Sequence, residues 1–145
     1  MPPANFPRKT RVIVSLGSNV EPRADYLEKA IAALSVFPGT AFVKASSVIE
    51  TDPVDVPKEF EGLKFLNQVV LFETTLDPFG FSRRMHAVED DLGRVRTVRN
   101  GPRTIDIDLI DFGGMVIDTP ELVLPHPRAH LRDFVQTPLR ELGVL

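Results

Sequence analysis

The residues best equipped for chemistry lie close together in the chain. Asp106-Ile107-Asp108 places two carboxylates at alternate positions. On a strand, alternation turns both toward one face, roughly 7 Å apart at the backbone, while Ile105, Ile107 and Leu109 turn toward the other. Like charges that close repel unless a positive group lies between them, and a hard divalent cation fills that role. A solvated acidic face that guards an edge strand against aggregation would use the same pair. The preceding segment narrows the choice. Between Gly93 and Ile105 there is no acidic residue, yet Arg94, Arg96, Arg99 and Arg103 all occur there. A solvated surface normally mixes signs. An arginine segment leading directly into a carboxylate pair suits a metal–polyphosphate ligand, the acids holding the metal and the guanidinium forks taking phosphate oxygens. A basic loop paired with Glu89, Asp90 and Asp91 is the plainer alternative.

The histidines divide in the same way. His126 lies between Pro125 and Pro127, which fix the backbone on both sides and pre-organise its side chain. His86 falls off the apolar stripe of its segment and reads as solvated. His130 follows His126 without the acidic partner and helical context of a zinc site, so zinc is not expected. Gly101-Pro102 forms a stiff entry to the acidic strand, and the arginine loop before it is a candidate to close over a ligand. No G-x-x-x-x-G-K-[ST], G-x-G-x-x-G or G-x-S-x-G pattern is present, and there is no cysteine. These absences set aside P-loop, dinucleotide-fold, serine-elbow and thiol chemistry.

Elements must position these groups. The chain has 145 residues, 43% hydrophobic and 26% charged, the balance of one globular domain. A net charge of −3 does not suggest a duplex-binding protein, and no apolar run is long enough for a membrane span. The start has no signal-peptide core, so a cytoplasmic protein is expected. Residues 1–10 read as a flexible extension and 11–145 as a single domain. Arg11 to Leu16 reads as a strand ending at a Gly17-Ser18-Asn19 turn. Leu27, Ala30, Ile31 and Leu34 mark a helix over Asp25 to Phe37. Strand patterns follow at 41–43, 47–49 and 65–72, with Thr51 to Gly62 as an exposed loop. Asp77-Pro78 starts a second helix with Phe81, Met85, Val88 and Leu92 on one face. A strand over Thr104 to Phe112 turns at Gly113-Gly114 into a hairpin with Met115 to Ile117. A short closing helix is expected near Pro138 to Leu142. The order predicts an α+β, ferredoxin-like βαββαβ fold with an extra hairpin: an antiparallel sheet with both main helices on one face.

Five segments then fall in a telling order: Val14–Asn19 (VSLGSN), Phe65–Asn67 (FLN), Gly93–Arg96 (GRVR), Gly101–Asp108 (GPRTIDID) and Pro125–Arg128 (PHPR). Together they resemble the 6-hydroxymethyl-7,8-dihydropterin pyrophosphokinases of folate biosynthesis, over roughly residues 11 to 142. The resemblance implies transfer of a pyrophosphoryl group from ATP, the co-substrate, to a pterin hydroxymethyl oxygen, with release of AMP. It implies that Asp106 and Asp108 bind two Mg2+ ions and that Arg94 and Arg103 hold the reacting phosphates. Arg96, His126, Arg132 and Glu89 match ATP-binding positions. Phe65 and Phe134 match two aromatics that sandwich the pterin, and Thr51, Val54 and Asn67 match positions that read its polar edge. A monomer with only small-molecule partners is expected, without nucleic acid or membrane. The chain departs from the family pattern at Asp52, Asn100, Pro127 and Glu121. A nucleotidyltransferase would need Gly-Ser close to the acidic pair, and Gly17-Ser18 is far from it. A ferredoxin-like RNA-binding module would need a basic aromatic sheet face, where Asp106 and Asp108 would repel RNA.

Overall fold

A computed structural model describes residues 8–52, 58, 62–93, 104–127 and 133–143. Its elements run β1 (Thr10–Ser18), α1 (Arg23–Ser35), β2 (Thr40–Ala45), β3 (Ile49–Thr51), β4 (Phe65–Thr74), α2 (Pro78–Asp91), β5 (Asp106–Phe112), β6 (Ile117–Asp118), β7 (Val123–Leu124) and α3 (Asp133–Leu142). The main sheet is antiparallel in the order β2-β4-β1-β5, with β3 extending the β2 side of β4. That is the ferredoxin-like arrangement the element order predicts. The extension at 1–7, most of the Thr51–Gly62 loop and the Arg94–Arg103 segment lie outside the described residues.

Helices α1 and α2 share one face of the sheet. Leu27, Ala30 and Leu34 of α1 pack with Phe81, Met85 and Val88 of α2 against Val12, Val14, Leu16, Val70, Phe72, Ile107 and Leu109. Phe81 lies at the centre, with its ring edge-on to Phe37 at 5.4 Å and to Phe112 at 6.0 Å. Asp77 caps α2, its carboxylate accepting the N–H groups of Phe79 and Gly80 at 3.1 and 3.2 Å. Pro78 takes the first helical position, where its missing donor costs nothing.

The opposite face is where the structure departs from expectation. Helix α3 spans ten residues rather than the short stretch from Pro138, and Pro138 lies inside it. Val135, Leu139 and Leu142 pack on Ile13, Val69, Leu71 and Ile110. Both faces of β1 are therefore covered over Val12–Val14, which explains its unbroken apolar run. Glu141 fastens the end of α3 by accepting the Ser47 N–H at 2.9 Å and the Ser47 hydroxyl at 2.8 Å. Lys44 Nζ adds a donor to the Leu142 carbonyl.

The hairpin also differs in its partners. Gly113-Gly114 makes the expected turn, but the segment after it does not return along β5. Instead β6 pairs with β7, Ile117 opposite Leu124. This leaves the outer edge of β5 to other groups, described below. Among the described residues, no helix is long and apolar enough to cross a membrane.

Candidate functional site

Among the described residues, helix α3 covers only part of its sheet face. Alternation along β4 puts Phe65 and Asn67 on the same face as Val69 and Leu71, beyond the α3 contact. The same holds for Asp106 and Asp108 relative to Ile110, and for Ser15 and Gly17 relative to Ile13. Strand register sets these residues in rows. Ile49, Asn67, Gly17 and Asp106 stand side by side across four strands, and Asp108 lies opposite Ser15 in the next row. With neighbouring strands about 4.8 Å apart, Asn67 and Asp106 face each other across about 10 Å of sheet.

Gly17 forms the floor between them. The Gly17-Ser18-Asn19 sequence predicts a turn here, but β1 runs on to Ser18. A Cβ at Gly17 would stand 3.3 Å from Asn67 Oδ1 and 3.5 Å from Phe65 Cδ1. Its missing side chain keeps this floor flat. The signal was present in the VSLGSN segment, whose alternation places Gly17 on the open face.

On one side of that floor, Asn67 is buried, and its Nδ2 donates to Thr51 Oγ1 at 2.6 Å. Thr51 is opposite Phe65 in the β3–β4 register. Phe65 belongs to neither core cluster; it is half-buried, with its ring beside Gly17. Strand spacing alone would make it an ordinary core residue, and the structure places it at the open face instead. An amide held by one hydroxyl, beside an aromatic ring over a bare glycine, offers the donor, the acceptor and the flat apolar face that a heteroaromatic edge would use.

On the other side, Asp106 and Asp108 are half-buried on β5. His126 approaches them from the segment after β7, its Nε2 4.0 Å from Asp108 Oδ1. The His126 backbone N–H donates to the Ile110 carbonyl at 3.0 Å, which ties that segment to the outer edge of β5. Glu89, 1% exposed on α2, holds the same edge: its Oε2 accepts the Ile107 N–H at 2.8 Å. Its Oε1 lies 3.0 Å from His86 Nδ1. His86 is thus bound to a buried carboxylate rather than merely solvated. Thr104, just before the strand, has a buried hydroxyl without a hydrogen-bond partner among the described residues.

Among the described residues, no three His, Asp or Glu side chains gather as a metal cage. Two adjacent carboxylates alone suit Mg2+, which takes one or two protein carboxylates and fills its remaining positions with water and substrate phosphates. The donor set fits that ion and not a structural zinc site.

The structure thus brings together Thr51, Phe65, Asn67, Glu89, Asp106, Asp108 and His126. Val54, Arg94, Arg96, Arg103 and Arg132 lie outside the described residues, as does the Phe134 side chain, although the Phe134 backbone belongs to α3. Two departures from the family pattern have partners: Glu121 pairs with Arg83 at 2.8 Å, and Asp52 lies 3.9 Å from Lys64 Nζ.

Comparison with solved structures places the fold first. The wild-type Plasmodium falciparum HPPK-DHPS with pterin and p-hydroxybenzoate superposes with a TM-score of 0.72 at 15% identity, over 98% of this chain. Its A437G/K540E variant gives 0.73 at 15% identity, over 95%. The chain spans only about 40% of the length of these solved structures. They define a ferredoxin-like α+β domain. Family is settled by sequence: the model for 7,8-dihydro-6-hydroxymethylpterin-pyrophosphokinase (HPPK) matches residues 13–144, and the chain belongs to this family of ATP-dependent pyrophosphokinases. The 2-amino-4-hydroxy-6-hydroxymethyldihydropteridine pyrophosphokinase of Bacillus subtilis is 41% identical over 129 residues, covering 89% of this chain and 75% of the relative. Its namesake in Pseudomonas aeruginosa is 36% identical, covering 92% and 80%.

Proposed function

We propose that the chain transfers an intact pyrophosphoryl group from ATP to the hydroxymethyl oxygen of 6-hydroxymethyl-7,8-dihydropterin, in a magnesium-dependent reaction that releases AMP. The observation that carries this reading is the sheet face beside α3 that the described residues leave uncovered. It holds a carboxylate pair on β5 and an amide–aromatic receptor on β4, separated by the bare floor at Gly17.

Each half has a task. Phe65, with Phe134, stacks on the pterin ring, and Asn67 and Thr51, with the Val54 backbone, read its polar edge. This fixes the hydroxymethyl group above the middle of the floor. Asp106 and Asp108 hold the magnesium–triphosphate complex on the far side, with two ions expected. Bound magnesium would spread the triphosphate's negative charge so that an oxygen can approach the β-phosphorus. Arg94 and Arg103 stabilise the charge that moves toward the departing AMP, while Arg96, Arg132, His126 and Glu89 serve the nucleotide side. The new oxygen–phosphorus bond forms as the bond from the β-phosphorus to the AMP oxygen breaks, and the hydroxyl proton is released to solvent. Holding both reactants in line supplies much of the rate, because little covalent work falls to the protein. Residues 11–145 would act as one cytoplasmic, monomeric domain, with residues 1–10 as an extension.

The test is product identity. Incubation with Mg2+, ATP and the hydroxymethyl dihydropterin should yield AMP only when the pterin is present. ADP as the product, or no turnover by folded protein, would sink the reading.

A further inference from the structure

A buried carboxylate on α2 joins the surface of the molecule to the strand that carries the aspartate pair. Glu89 is nearly inaccessible, and a carboxylate in that position needs hydrogen-bond donors on its oxygens. One donor is the Ile107 N–H, at 2.8 Å. That peptide group lies between Asp106 and Asp108 in the chain, on the outer edge of β5, which among the described residues has a strand neighbour only at β1. A backbone donor on such an edge would otherwise be left to solvent, and the pitch of the strand with it. Another partner is His86, with Nδ1 3.0 Å from Glu89 Oε1. The His86 side chain is 55% exposed against 1% for Glu89, so the histidine is the solvent-facing end of this contact. His86 and Glu89 are three residues apart and meet on one face of α2.

We infer that His86 is a positioning residue: through Glu89 it fixes the Ile107 peptide, and so the separation and aim of Asp106 and Asp108. Neither side chain needs to touch a reacting atom. The inference rests on the reading of Asp106 and Asp108 as the magnesium carboxylates. It adds an outer partner of the kind that commonly tunes a metal site tenfold to a hundredfold.

The test combines a structural readout with a binding one. Amide hydrogen exchange at Ile107, followed by NMR, reports the Glu89 bond without reference to turnover. In His86→Ala, exchange at Ile107 should accelerate about tenfold or more while the amides of β4 keep their protection. Calorimetric titration with Mg2+ and a non-hydrolysable ATP analogue should show affinity weakened about tenfold, with pterin binding unchanged. His86→Gln, which restores a side-chain donor, should recover both values. Unchanged exchange at Ile107 in His86→Ala would overturn the relay. Faster exchange with unaltered magnesium–nucleotide affinity would overturn its positioning role. If the wild-type protein forms no AMP while the exchange result holds, the proposed reaction fails and the structural link from His86 to Ile107 stands. A double variant, His86→Ala with Glu89→Ala, should be no weaker than Glu89→Ala alone; additive losses would contradict one shared path.

Discussion

Gly17 stands against Asn67 with no room to spare: a methyl group at Gly17 would lie 3.3 Å from Asn67 Oδ1. The two residues are paired across β1 and β4, and the amide is held from its other side by Thr51 at 2.6 Å. Substitution at Gly17 therefore separates stability from binding. Alanine in a strand is about 0.5–1 kcal/mol better than glycine on backbone grounds, which offsets the tight contact. Gly17→Ala should fold with a thermal midpoint near that of the wild type, while KM for the pterin rises about tenfold and KM for ATP changes little. Steady-state kinetics in each substrate would check this. Equal losses for both substrates would contradict a floor specific to the pterin side.

Asn67 supplies both a donor and an acceptor, and the Thr51 contact fixes which end points where. Asn67→Asp keeps the shape but removes the Nδ2 donor to Thr51 Oγ1. Its kcat/KM for the pterin should fall by about 100-fold or more, since a polar ligand edge would then lack its partner. Thr51→Val should show a smaller loss in the same direction. Isothermal binding of the pterin to both variants measures it.

Local chemistry made much of this molecule legible and non-local contact made the rest opaque. Helix α2 could be read from the Asp77-Pro78 cap and the Phe81–Met85–Val88 stripe because both signals lie within a few residues. Helix α3 is longer than the short helix expected near Pro138 to Leu142, an expectation set by the cost of proline in a helix interior. The Val135–Leu139–Leu142 stripe overrides it by packing on the sheet. The Gly113-Gly114 turn was correct, but pairing of β6 with β7 depends on a contact no turn residue specifies. In the site, the shared face of Asp106 and Asp108 followed from strand alternation. The approach of His126 to Asp108, and of Glu89 to Ile107, joins segments 18 residues apart in each case and is fixed only by folding.

Docking of α3 predicts a pH signature. The Ser47 N–H, and then the Ser47 hydroxyl, hold the Glu141 carboxyl below its usual value of 4.5. A carboxyl with a lowered folded-state pKa stabilises the fold above the unfolded value, and that contribution is lost as pH falls through the folded one. Glu141→Gln should therefore unfold at lower urea than wild type at neutral pH, with the gap closing as pH drops below about 4.5. A gap that widens in acid would contradict the assigned contact.

The apolar side of the same helix should matter more. Leu139 is buried against the sheet, and Leu139→Ala should cost about 2–5 kcal/mol, read from the denaturant midpoint. The effect should fall on stability and leave the KM values of surviving folded enzyme close to wild type.

The central claim is that the β5 carboxylates carry the metal–nucleotide half of the reaction. The most direct measurement is pterin-dependent AMP release by Asp108→Ala, beside circular dichroism of the same sample. Turnover should drop by at least about a thousandfold with the fold and pterin binding retained, as expected when an electrostatic anchor of the transferred group is lost. AMP release near the wild-type rate from folded Asp108→Ala would contradict the account.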